Sequence, residues 1–110
     1  MIEVNFKEHE DGHIELTVKG HAMYDQPGKD IVCASASTLF YTLAKSLLEA
    51  KDKGMLDEMP VINDSDEADE KVIKCKPNEK FRGNISLMYW MVMNGYEGLV
   101  NIYPKYVKII

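Results

Sequence analysis

The sequence contains few of the features that mark a secreted, membrane-spanning or metal-binding chain. It has only two cysteines, Cys33 and Cys75, and no Cys-x-x-Cys pair, so we expect two free thiols and no metal site. No apolar run approaches the roughly 20 residues that a membrane-spanning helix needs, and no membrane contact is expected. The first residues lack the basic start and apolar block of a signal peptide, and we therefore expect a cytoplasmic protein.

Positive charge is also scarce in this chain. Asp and Glu number 18 against 13 Lys and Arg, which gives a formal net charge of -5. Binding to a nucleic acid backbone rewards an excess of Lys and Arg, so the charge argues against direct nucleic acid contact. A basic protein partner suits an acidic chain better, although solubility alone also favours net negative charge.

What is present is the composition of an ordinary globular protein. Of 110 residues, 45% are apolar and 28% are charged, enough for one hydrophobic core, and we interpret residues 1–110 as one domain. Apolar and polar residues alternate over 2–7 and 14–19, which predicts two half-buried strands. A two-residue turn at Asp11-Gly12 would oppose apolar and polar faces. We therefore predict a three-residue loop over 10–12 that pairs residue 6 with 16 and residue 4 with 18.

Apolar residues at spacings of three and four predict two helices. The first runs from Asp30 to about Lys53, where Gly54 follows as a left-handed cap, and the second from about Asn84 to Leu99. The apolar stripe of the first comprises Ala36, Phe40, Leu43, Ala44, Leu47 and Leu48. That of the second comprises Ile85, Met88, Val92, Tyr96 and Leu99, widened by Trp90 and Met93. This apolar surplus on the second helix favours self-association.

The remaining segments complete an α+β pattern. Residues 57–71 are strongly acidic and are interpreted as a solvated, mobile connection with room for a short edge strand at Val61-Ile62. Further strands are predicted at 72–76 and 106–110. The order β-β-α-β-α-β predicts a two-layer sandwich, with a mainly antiparallel sheet and two helices on one of its faces.

The stretch from Gly20 to Ser37 holds the residues best suited to chemistry. Asp30 is expected to cap the first helix, which puts Cys33 in a first turn whose unpaired N–H groups and helix dipole favour a thiolate. His21 lies twelve positions earlier, on a loop long enough to bring its ring to the thiol. A cysteine protease needs a thiolate, an imidazole that moves its proton, and donors for the oxyanion, for which first-turn N–H groups such as that of Cys33 are candidates.

Structural interpretations of these residues are also open. A cysteine such as Cys33 is more often a small core residue than a nucleophile, and a histidine after glycine is more often a turn residue. Ser35, early in the helix, is expected to bond the backbone, while Ser37, one turn beyond Cys33, can face the same cleft. Core packing is predicted for Cys75 and exposure for His9 and His13, which flank the hairpin turn.

Two motifs in this stretch resemble the ribosomal-processing cysteine protease family, Prp, of bacteria. They are Gly20-His21-Ala22 and Gly28-Lys29-Asp30-Ile31-Val32-Cys33-Ala34, completed by Ser37, and the likeness extends over essentially the whole chain. The Ser35-Ala36 pair is a mild departure from the small or β-branched apolar residues expected there.

The resemblance implies a function and a partner. It implies that His21 and Cys33 form the catalytic pair without a cofactor, and that the loop Ala22 to Lys29 is mobile and orders around substrate. The substrate-binding or loop positions are Gly20, Ala22, Gly28, Asp30 and Ser37, with Asp30 favoured as a helix cap over a catalytic group. It further implies a homodimer that removes the N-terminal extension of a large-subunit ribosomal protein.

Two function classes therefore follow from the sequence. The first is a cysteine endopeptidase in which Cys33 attacks and His21 acts as base and then acid. The second is a non-catalytic module that binds a peptide or an anion at the helix N-terminus, Asp30 to Cys33. The two differ in whether Cys33 is needed for turnover.

Overall fold

The structure is a computed structural model that describes residues 1–65 and 69–110. In chain order the elements are β1 (Ile2–Glu8), β2 (Ile14–Lys19), α1 (Ile31–Asp52), β3 (Val61–Asn63), β4 (Glu70–Cys75), α2 (Arg82–Ile102) and β5 (Val107–Ile109). The strands form one sheet in the order β3-β4-β2-β1-β5, antiparallel except for the β1 and β5 pair. The predicted α+β sandwich, with both helices on one face of a mainly antiparallel sheet, is confirmed.

The first hairpin has the predicted register. Val4 pairs with Val18 and Phe6 with Leu16, so the apolar faces of β1 and β2 coincide. The His9 N–H donates to the His13 carbonyl at 2.8 Å, which closes a loop over 10–12, and Gly12 takes a φ of +96° within it. Hydrophobic patterning therefore selected the longer loop over the Asp-Gly turn.

Helix α1 begins and ends where its caps predict. Asp30 is the N-cap, and Gly54 follows the C-cap with a φ of +76°. The predicted stripe is buried except for Leu48, which is 41% exposed. By length and composition alone α1 would also pass as a membrane span, but its apolar stripe belongs to the one cluster that packs the helices on the sheet.

Helix α2 is longer than predicted and turned differently about its axis. It extends over Arg82–Ile102, and Tyr89, absent from the predicted stripe, is fully buried. The Tyr89 hydroxyl donates to the Ile14 carbonyl at 3.1 Å, so a polar tip is satisfied inside the core. Trp90, one residue and about 100° further round the helix, is 60% exposed, so within a single chain it lies outside the buried stripe.

The acidic connection contains more regular structure than predicted. The edge strand forms at Val61–Asn63, and β4 starts at Glu70, two residues before the predicted start, because Glu70 pairs with Lys19 of β2. Residues 66–68 of the predicted mobile connection lie outside the described residues. The early start of β4 sets Asp69 beside the end of β2.

His9 and His13 are half-buried, so the prediction that both are exposed was wrong. The Nε2 of His9 lies 2.8 Å from Glu15 Oε1, and the Nε2 of His13 lies 2.7 Å from Glu58 Oε1. A ring nitrogen of each histidine thus meets a carboxylate, a contact that a sequence pattern at a turn does not reveal.

Candidate active site

A cleft of about 210 Å³ opens between the end of β2 and the first turns of α1. Its lining includes Gly20 and His21 from the end of β2, Cys33 and Ser37 from α1, and Asp69 from the start of β4. A second cavity shares His21, Cys33 and Ser37 and continues along the loop toward Gly28 and Asp30. The fold thus brings the predicted site residues from two distant segments to one place.

Cys33 is half-buried in the first turn of α1, as predicted, and its thiol is free. The backbone N–H of Ala22 donates to its Sγ at 3.4 Å. This contact attaches the loop to the helix beside the thiol. The other cysteine, Cys75, lies in the core, where burial raises the pKa of its thiol and leaves it a poor nucleophile.

Asp30 joins the helix to the loop through both of its carboxylate oxygens. Oδ1 accepts from the N–H groups of Val32 and Cys33, each at 3.0 Å, and Oδ2 accepts from Tyr24 at 2.9 Å and Asp25 at 3.2 Å. Burial raises the pKa of this carboxyl, but the four donors together outweigh burial and hold the pKa below its ordinary value. Asp30 is therefore a cap and a loop clamp.

This clamp corrects one expectation about the oxyanion. The Cys33 N–H, a predicted oxyanion donor, already donates to Asp30, and the Val32 N–H does the same. The Ala34 N–H donates to the Asp30 carbonyl at 3.0 Å. The capped first turn therefore has no open donor at these three positions, which also disfavours an anion-binding module at Asp30 to Cys33.

His21 is 70% exposed and lies at the mouth of the cleft. Its Nε2 lies 2.6 Å from Oδ1 of Asp69, which is itself half exposed. Within residues 1–65 and 69–110, no hydrogen bond joins the His21 ring to Cys33, although both side chains line the same cleft. Sequence reasoning missed Asp69, because it is one of many carboxylates in the acidic run and only strand pairing selects it.

The two glycines of the motifs serve different backbone requirements. Gly20 has a φ of +90°, and a Cβ built there would lie 2.5 Å from the Met1 carbonyl oxygen, so a side chain would displace β1 from the loop. Gly28 has a φ of +84° with open space around it, so its requirement is the turn conformation alone. Ala22, between strand and loop, is buried.

Comparison with known proteins identifies the family of this chain. The family model described as "Cysteine protease Prp" matches residues 1–108. The chain belongs to this family. It is therefore a cysteine protease, which hydrolyses peptide bonds through a thiol. A sequence search finds no significant match among curated proteins.

Solved structures share the fold of this Prp family member. An essential ribosomal processing protease Prp from S. aureus, in complex with a covalently linked product peptide, is 22% identical and has a TM-score of 0.75. That match covers 99% of this chain and 97% of the other. SMU.848 from Streptococcus mutans is 23% identical with a TM-score of 0.71, covering 99% and 95% of the two chains. At these identities the comparison shows a common fold.

In this Prp family member the loop between His21 and Asp30 is attached at a second point besides the clamp. The Tyr24 ring packs edge-on against Tyr103 and Tyr106, with ring centroids 5.4 and 5.1 Å apart. The neighbouring Met23 has a φ of +58° and is 78% exposed. The loop therefore consists of an exposed tip held by an aromatic anchor next to the carboxylate clamp.

Ser37 and Lys71 form the far wall of the cleft. Lys71 Nζ donates to Ser37 Oγ at 3.4 Å and lies 5.1 Å from the centroid of the Tyr41 ring. Ser35 instead donates to the Ile31 carbonyl at 2.7 Å, as predicted for a serine early in a helix. Of the two serines, Ser37 is the one that borders the cleft.

Among the described residues, no group of three or more His, Cys, Asp or Glu side chains could hold a metal ion. The chemistry available in the cleft is that of a thiol, an imidazole, a carboxylate and backbone donors. These groups suit acyl transfer through a thioester.

Proposed function

We propose that this chain is an endopeptidase in which Cys33 is the nucleophile and His21 is the general base and acid. One observation carries the proposal: the sulfur of Cys33 accepts a backbone N–H and shares a cleft with His21, in a chain of a cysteine protease family. The first turn of a helix and a neighbouring imidazole are the two surroundings that best activate a thiol.

The reaction has two stages. The Cys33 thiol gives its proton to the imidazole of His21, and the sulfur attacks the scissile carbonyl carbon to form a tetrahedral oxyanion. The C–N bond then breaks, the imidazolium returns the proton to the leaving amine, and a thioester remains on Cys33. Water, deprotonated by His21, attacks the thioester, and breaking of the C–S bond releases the acid and restores the thiol.

Oxyanion stabilisation is assigned to the Ala22 N–H. This donor already reaches Sγ of Cys33, and an oxyanion on a carbon bonded to that sulfur would lie beside it. Asp30 supports the same geometry, because its carboxylate ties the loop backbone to the first turn that carries the nucleophile. Gly20, Gly28 and Ser37 then shape the cleft and loop that receive the peptide.

The proposed substrate is a bacterial large-subunit ribosomal protein precursor, from which the enzyme removes an N-terminal extension. Two S. aureus structures of similar fold are described as ribosomal processing proteases, one with a substrate peptide and one with a covalently linked product peptide. A ribosomal protein is basic as a class, and this chain carries a net charge of -5. We also propose that the enzyme works in the cytoplasm as a homodimer.

Cleavage of that precursor tests the proposal. We expect the wild type to make one cut, identified by the mass of the product and its new N-terminus. Cys33→Ala should lose at least about 1,000-fold in kcat, because the nucleophile is gone, and His21→Gln should lose a similar factor. Cys75→Ala, which removes the core thiol, should retain activity and so serves as the matched cysteine control.

Two outcomes would contradict the proposal. Retained cleavage by Cys33→Ala would remove Cys33 from the mechanism. Tight binding of the precursor without a cut by any variant, the wild type included, would favour a peptide-binding module. Mass spectrometry of quenched wild-type reactions should also detect the thioester on Cys33.

A further inference from the structure

Asp69 contacts the His21 segment through both its side chain and its backbone. Its Oδ1 lies 2.6 Å from His21 Nε2, and its carbonyl accepts the Gly20 N–H at 3.0 Å. The two segments meet because Lys19 and Glu70, the neighbouring strand residues, pair across β2 and β4. Strand pairing thus places Asp69, the residue before β4, beside Gly20, the residue after β2.

We propose that Asp69 is the residue that positions the His21 imidazole and selects its tautomer. This inference rests on the proposed function, in which His21 serves Cys33. A neutral imidazole that donates Nε2–H to a carboxylate must keep its lone pair on Nδ1. Asp69 therefore makes Nδ1 the nitrogen that takes the proton of the Cys33 thiol and later gives it to the leaving amine.

The backbone conformation of Asp69 indicates that its contact with His21 is a specific feature of the fold and not an incidental surface ion pair. Asp69 has a φ of +52°, a left-handed conformation that few residues other than glycine, asparagine and aspartate adopt readily. This bend turns the chain into β4 just where its carbonyl meets Gly20 and its carboxylate meets His21. Isolated exposed ion pairs contribute little to the free energy of unfolding. We therefore assign the Asp69 and His21 pair a role in orienting the imidazole.

An exposed catalytic histidine also needs a partner that holds its ring in place. His21 is 70% exposed, and a ring so open would otherwise rotate and exchange tautomers freely. Asp30, the other carboxylate of the site, accepts from four backbone N–H groups, and within residues 1–65 and 69–110 no hydrogen bond or ion pair joins it to the imidazole. Asp69 is the carboxylate that the fold assigns to the ring.

Two substitutions of Asp69 separate the effect of its carboxylate from the effect of its backbone conformation. Asp69→Gly removes the carboxylate but accepts a φ of +52° without strain. Asp69→Asn keeps the conformation but replaces an acceptor-only group with an amide that can pair with either tautomer. We expect Asp69→Gly and Asp69→Asn each to lower kcat about 10-fold with KM changed by less than about 2-fold, because neither keeps an acceptor-only group beside Nε2. Asp52→Asn, at the far end of α1, is the control for losing one negative charge.

A direct readout of the tautomer needs no substrate. Nitrogen chemical shifts of the imidazole, measured about two pH units above the ordinary histidine pKa, distinguish Nε2–H from Nδ1–H. We expect His21 to be predominantly Nε2–H in the wild type and a mixture of tautomers in Asp69→Gly and Asp69→Asn. His21→Gln identifies the signal among the three histidines.

The kinetic and nitrogen-shift measurements test the positioning role and the peptidase proposal separately. An unchanged tautomer population in Asp69→Gly, or unchanged kcat in an enzyme that cleaves, would overturn the positioning role and leave the peptidase proposal intact. A wild type that never cleaves would overturn the peptidase proposal, while the nitrogen shifts would still report whether Asp69 sets the ring.

Discussion

Asp30 shows how much one side chain can organise. Its four accepted hydrogen bonds connect the first turn of α1 with Tyr24 and Asp25 of the loop, so the nucleophile and the loop share one anchor. A cap alone would need only the two bonds to the helix. The additional pair connects the preceding loop to the start of the helix through the same side chain.

A cluster of titratable side chains lies away from the cleft, around His13. Its Nε2 lies 2.7 Å from Glu58 Oε1 and its Nδ1 lies 3.0 Å from Asp11 Oδ1. The Glu58 and Asp11 carboxylates raise the pKa of His13 against the opposing effect of burial. The His13 backbone N–H, followed by its ring, lowers the pKa of Asp11 from 3.8 to about 2.

The pKa shifts of His13 and Asp11 define the pH range over which this cluster stabilises the fold. The raised pKa of His13 means that its contribution to stability is full below the ordinary value of 6.5 and is lost as pH rises through the raised value. The lowered pKa of Asp11 means that its contribution is present above 3.8 and is lost as pH falls toward about 2. The cluster therefore stabilises the fold most between about pH 4 and pH 6.5.

We predict that His13→Gln lowers the melting temperature by about 2 to 4 °C near pH 5.5 and by less near pH 9. The reason is that only the protonated ring bears the charge that the two carboxylates favour. Thermal unfolding of both proteins across that range measures the difference. Equal differences at both pH values would show that packing of the ring, and not its charge, is what matters.

At the scale of elements, the loop between β2 and α1 depends on the aromatic anchor at Tyr24. Edge-on aromatic contacts each add about 0.5 to 1.5 kcal/mol beyond burial, and Tyr24 makes two of them with the segment between α2 and β5. The loop between β2 and α1 is therefore coupled to the carboxyl end of α2 and not only to its own helix.

We predict that Tyr24→Ala increases amide hydrogen exchange in peptides spanning 22–29 by about 5-fold, the factor for roughly 1 kcal/mol of lost anchoring. Tyr24→Phe, which keeps the ring, should exchange like the wild type. Mass spectrometry of exchanged, digested protein provides the measurement. If alanine and phenylalanine variants exchange equally fast, the ring contacts do not hold the loop.

At the scale of the whole molecule, α2 leaves an apolar surface uncovered. Leu87, Trp90 and Met91 are each more than half exposed, and their spacing of three and four places them on one side of the helix. No charged residue occurs between Arg82 and Glu97. An uncharged apolar helix face of this kind is suited to a second copy of the chain, in keeping with the proposed homodimer.

We predict that Trp90→Lys weakens self-association by about 30-fold or more, as expected for a central tryptophan at an interface. Sedimentation over a range of concentrations measures the dimer fraction against the 12.5 kDa monomer. Leu48→Lys, an exposed apolar residue on α1, is the matched control and should not change it. A wild type that stays monomeric at every concentration would contradict the proposal.

The sequence by itself determined the elements and the site motif. Alternation set the β1 and β2 register, because only one register puts both apolar faces in the core. Helical spacing and the Asp30 and Gly54 caps determined α1, and the same cap put Cys33 in the first turn. These are local rules, which act between residues near in sequence.

Only the tertiary structure decided which residues meet across the chain. Asp69 reaches His21 because β4 pairs with β2, and nothing distinguishes it in sequence from its acidic neighbours. Tyr89 is buried and Trp90 exposed because packing on the sheet sets the rotation of α2, where both residues are apolar enough for either place.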